Sequence, residues 1–102
     1  MNIYKLDDVP QMASNSPEIS KLLEMHDFRE LQTRMNNVKT QEDMPEGLRI
    51  FEELEKISGK LADFQKKNGR SNAAESIKKT IDSASDAFTT RIARTIVITR
   101  ML

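Results

Sequence analysis

Few side chains in this chain have the chemistry for catalysis, and His26 comes first because it is the only imidazole. A general base needs a nucleophile or substrate within hydrogen-bond reach, and the neighbouring Asp27 points elsewhere on a helix. As a zinc ligand, His26 lacks a second His or any Cys. It reads as a structural or surface residue. Glu52, Glu53 and Glu55 form an acidic run, but consecutive carboxylates splay around a helix. The spaced oxygen ligands and central Gly of a calcium loop are missing, so the run reads as a solvated face. Ser83, Ser85, Thr89 and Thr90 supply hydroxyls with no base nearby in sequence. Gly47, Gly59 and Gly69 stand singly, so no loop is built to cradle phosphate. The sequence therefore predicts no enzyme, no metal, no cofactor and no small-molecule substrate.

The basic C-terminal stretch could act on a partner. Everything after Asp86 that carries charge is cationic, namely Arg91, Arg94 and Arg100, with Lys78 and Lys79 a few turns earlier. These arginines are the candidate nucleic-acid contacts. Cations are also favoured at a helix C-terminus for dipole reasons alone, and no aromatic interleaves for stacking. With 16 basic and 16 acidic residues the net charge is zero, which argues against a domain devoted to neutralising phosphates.

These groups must sit on helices. Ser16-Pro17-Glu18 starts the first, with Ser as N-cap and Pro at N1. Ile19, Leu22, Leu23 and His26 share one face, while Phe28, Leu31, Met35 and Val38 share another, about 140° away. A mostly continuous helix over residues 17–40, covered on two sides, is the favoured expectation. The alternative is a break near His26, with Asp27 and Glu30 as an acidic capping box. Thr40 to Pro45 separates this element from the next.

Ile50, Leu54, Ile57, Leu61 and Phe64 repeat four-three-four-three, widened by Leu48 and Phe51, and predict a helix over residues 45–68. Asn68-Gly69 ends it. Asn72 with Glu75 opens a third helix, residues 72–100, striped by Ala74, Ile77, Ile81, Ala84, Phe88, Ile92 and Ile96. The β-branched run Thr95 to Thr99 weakens helix preference, but a strand there would have only Ile3 to Leu6 to pair with, so the helix is retained. Residues 1–15 show no period and are expected to form an extended arm. The expected fold is all-α: an antiparallel three-helix bundle (a helical hairpin plus an N-terminal helix) in one domain over residues 16–102.

The apolar positions outnumber what one thin core can hide. Phe28, Leu31, Met35, Ile92, Ile96, Val97 and Met101 are accordingly the candidate partner-binding residues, and another protein or a second copy is the expected partner. The start lacks a Sec-type signal pattern, no apolar run approaches the roughly 20 residues that span a bilayer, and Cys is absent, so a cytoplasmic location is expected. The ending Ile92-Ala93-Arg94-Thr95-Ile96-Val97 and the opening Met1-Asn2-Ile3-Tyr4 resemble small inner-rod subunits of type III secretion systems. The resemblance covers the two ends only and lacks that family's Asn-Pro turn and Leu-Gln-rich helix, so no residue role transfers. It implies a structural subunit of a secretion or phage assembly. The leading functional expectation is a non-enzymatic helical interaction module acting as a regulator, adaptor or chaperone. The nucleic-acid binder and the structural subunit are the alternatives.

Overall fold

The heptad seam of residues 50–64 forms one arm of a long helical hairpin. In the computed structural model, which describes the backbone of residues 4–101 and the side chains of residues 4–95, α4 spans Met44–Asn68 and α5 spans Asn72–Met101. Three shorter helices precede them: α1 (Val9–Ala13), α2 (Pro17–Leu23) and α3 (Phe28–Asn37). Short 3-10 turns lie at Leu6–Asp8 and Gln41–Asp43. The described residues are all-α, with extents of 50 × 23 × 19 Å.

α4 and α5 meet along the predicted stripes. Ile50, Leu54, Ile57 and Leu61 are buried from one side, and Ala74, Ile77, Ile81, Ala84 and Phe88 from the other. Each large aliphatic so buried is worth about 1.5–3 kcal/mol. Gly69 turns the corner at φ 82, a backbone conformation that costs glycine little, while its N–H reaches Gln65 O at 2.8 Å. The cap of α5 is Ser71 and not the expected Asn72, with Ser71 O accepting from Glu75 N at 2.9 Å. Gly47 is buried, and a Cβ there would lie 3.1 Å from Ile92 Cδ1, so the start of α4 comes close to α5.

Two expectations fail in the first 40 residues. The arm is not extended: Tyr4, Leu6, Val9 and Ala13 are buried, the last two on α1, which packs against α5. Leu6 N donates to Gln32 Oε1 at 2.9 Å, and the Tyr4 ring meets Phe88 edge-on at 6.1 Å. Nor is the helix over residues 17–40 continuous. It breaks between Leu23 and Phe28, and Asp27 caps α3 by accepting from Glu30 N at 3.0 Å. The physical reason is the offset between the two stripes. With a break, Ile19 and Leu23 enter the same core as Phe28, Leu31 and Met35, which a straight rod could not achieve. The result is a two-helix hairpin covered on one flank by short helices, in place of three rods and an arm. α2 begins as expected, with Ser16 Oγ accepting from Ile19 N at 3.4 Å and Pro17 in its first turn.

Candidate functional site

Three of the seven partner-binding candidates named from sequence are core. Phe28, Leu31 and Met35 are at most 3% exposed, which removes them from any docking surface. Their shared face was expected to be in excess of the core, but the break between α2 and α3 turns it into that core. Ile92 is half-buried against Gly47. Ile96, Val97 and Met101 lie on the α5 backbone, but their side chains fall outside the described residues, as does that of Arg100. The exposed large apolar residues among those described are Met25, at 75%, and Leu48, at 64%. Leu48 therefore does not widen the seam. Phe51 does, its ring tilted by 50° against that of Phe88 with centroids 5.0 Å apart.

Arg91 is the residue whose role changes most. Its guanidinium turns inward and donates to Met35 O at 3.0 Å, Asn36 O at 3.1 Å, Val38 O and the Tyr4 hydroxyl at 3.1 Å. The last carbonyls of a helix have no partner within it, and α3 ends at Asn37, so Arg91 supplies what that end lacks. One side chain thus fastens the C-terminal end of α3 and the chain before α1 to α5. Of the three arginines expected to meet nucleic acid, Arg91 is committed to the fold and Arg94 is exposed.

A second polar assembly joins the short helices to α4. Glu46, Glu53 and Lys60 are seven residues apart, and seven residues rotate a helix by about 700°, so they share one face. Arg34 of α3 reaches Glu46 Oε1 through Nε at 2.6 Å and Glu53 Oε1 through Nη1 at 3.5 Å. These carboxylates, Glu46 first, raise the already high pKa of Arg34, with burial opposing. His26 follows on the stripe: Nδ1 is 3.8 Å from Glu53 Oε2 and Nε2 is 3.0 Å from Lys60 Nζ. An ammonium has only donors, so Nε2 must accept and Nδ1 carries the proton toward Glu53. Lys60 Nζ also contacts Met25 Sδ at 3.1 Å. Burial, then Lys60, lowers the His26 pKa below 6.5, and Glu53 offsets part of this.

The remaining candidates are engaged locally. Glu52 and Glu55 are exposed, while Glu53 belongs to the stripe. Thr89 and Thr90 hydroxyls donate one turn back to Ser85 O and Asp86 O, at 2.8 and 3.1 Å. Lys78 pairs with Asp82 at 2.9 Å, and Ser58 donates to Asp82 across the hairpin at 3.0 Å. Asp43 Oδ2 accepts from the Lys39 and Thr40 amides at 2.9 and 3.0 Å, which holds its carboxyl below the usual range. The stripe had a legible signal in its seven-residue spacing. The Arg91 fastening had none, since Tyr4, residues 35–38 and Arg91 lie far apart in sequence.

Among the described residues no helix is long and apolar enough to cross a membrane. Comparison with protein-family models, with curated proteins and with solved structures finds no match. The resemblance of the chain's two ends to secretion inner-rod subunits gains no support from it.

Proposed function

We propose that this chain is a non-enzymatic helical interaction module that associates with a second copy of itself, or with a macromolecular partner that it regulates, escorts or links, through the last turns of α5 and the adjoining start of α4. One observation carries the reading. The backbone of α5 remains helical to Met101, and the sequence there carries three consecutive large aliphatic residues, Ile96, Val97 and Ile98. A run of consecutive large aliphatics is more apolar sequence than one neighbouring helix takes up, which suits such a segment to a second molecule. Leu48, 64% exposed on the first turns of α4, lies at the same end of the hairpin, where Gly47 meets Ile92. A second copy is favoured as the occupant because the chain is neutral overall, so two copies approach without net repulsion.

Light scattering at two concentrations tests this. The expected result is a mass above the 11.7 kDa of one chain that grows with concentration, returning to one chain in Ile96→Glu and falling in Leu48→Glu. One chain's mass at both concentrations, with no stable complex formed, overturns the proposal.

A further inference from the structure

His26 is placed where a second positive charge would meet immediate opposition. Its side chain is 10% exposed, and Nε2 accepts from the Lys60 ammonium at 3.0 Å. We propose that His26 and Lys60 form a proton-operated latch, which holds the joint between α2 and α3 against α4 at neutral pH and releases it in mild acid.

A proton on Nε2 removes the only lone pair that can receive the ammonium and sets two cations face to face. The surrounding charges do not absorb this. From α4, Glu53, Lys56 and Lys60 face the imidazole, and the two lysines oppose protonation while Glu53 favours it. Glu53 is 3.8 Å away and shares its other oxygen with Arg34. On the imidazole's own joint lie Glu24 and Asp27, with Arg29 in the first turn of α3, and Asp7 of the first 3-10 turn lines a surface cleft together with His26. Asp27 is engaged as the cap of α3. Burial and Lys60 together outweigh Glu53, so the folded chain binds the proton less readily than the unfolded one.

The sign follows from that. The folded pKa is depressed, so the latch contributes fully above about 6.5, the unfolded value, and is lost as pH falls through the lower folded value. Lys60 also holds Met25, so its release frees two successive residues of the joint. The joint lies between helices, and His26 N–H reaches back only to Leu23 O, at 3.0 Å, so it can lift without unwinding α3. What it uncovers is apolar: a cleft of about 280 Å³ already penetrates beneath it, lined by Val9, Ala13, Leu23 and Phe28. The device exposes this surface only when His26 is charged.

His26 is the sole histidine, so its Cε1–H resonance can be followed alone through a proton NMR titration. The midpoint is expected below 6.5 in the natural chain. Lys60→Met should raise it, by a several-fold gain in proton affinity. Amide exchange over residues 23–31, corrected for intrinsic rate, should accelerate roughly tenfold across that midpoint while α5 keeps its protection. His26→Gln should abolish the acceleration. A midpoint indifferent to Lys60→Met overturns the latch, and so does joint protection that is unchanged through the titration. Because Lys60→Met and the natural chain carry the test without His26→Gln, poor folding of the latter does not blunt it.

Discussion

The hairpin of α4 and α5 and the cover of residues 4–37 reach the same core by different means. In the hairpin, 25 and 30 residues continue without interruption, and a regular apolar stripe on each helix does most of the work. In the cover no helix exceeds 10 residues, and isolated helices that short are marginal in water. Its elements are held by capping side chains, by the internal bond of Leu6 to Gln32, and by polar ties to the hairpin: Arg34 to Glu46 and Glu53, His26 to Lys60, and Arg91 to the end of α3. Periodicity builds the first region and point contacts build the second. The cover should therefore open at lower free energy than the hairpin, as a separate cooperative unit.

The largest expected effect strikes both regions at once. Ile81→Ala removes a fully buried side chain of the hairpin that serves the common core, and should cost about 2–5 kcal/mol of global stability, read as a drop in the urea midpoint by both far-UV dichroism and tyrosine fluorescence. Arg91→Met should cost about 2–3 kcal/mol by removing charged donors from three carbonyls and the Tyr4 hydroxyl, but its loss should be concentrated in the cover. Hydrogen exchange would then show residues 4–37 exposed while α4 and α5 stay protected. Uniform loss across the molecule would erase the distinction between the two regions. Asp27→Ala should cost less, about 1 kcal/mol, and its signature should be fraying of the first turn of α3 alone, seen in the amide of Glu30.

The division also decides what is legible in the sequence. The hairpin was legible because its stripes repeat over many turns, and the expected ranges of residues 45–68 and 72–100 differ from α4 and α5 by a single residue at one end of each. The cover was not. Its apolar residues fit two registers, and only the tertiary core decides that the first ends at Leu23 and the second opens behind Asp27. Tyr4, Leu6 and Val9 gave no helical period because they occupy a 3-10 turn and its flanks, where side chains face the core without a 3.6-residue rhythm. Arg91 looked like a surface cation because nothing near it in sequence hints at carbonyls waiting from residues 35–38. Phe28, Leu31 and Met35 looked surplus for the same reason: the core that receives them includes the very segment expected to be an arm. For Ile92 the reading as apolar seam and the half-buried position against Gly47 agree.

The Arg91–Tyr4 contact also bears on how the chain is made. The two residues are separated by 87 positions, so at a translation rate of about 5–20 residues per second the cover waits roughly 4–17 s for the side chain that secures it. During that interval the nascent short helices present Val9, Ile19 and Leu23 without the α5 face that completes the common core. Chaperone capture or protease attack during synthesis would fall on this stretch first, and slowing the ribosome within the α5 codons would lengthen its exposure while leaving the finished molecule unchanged.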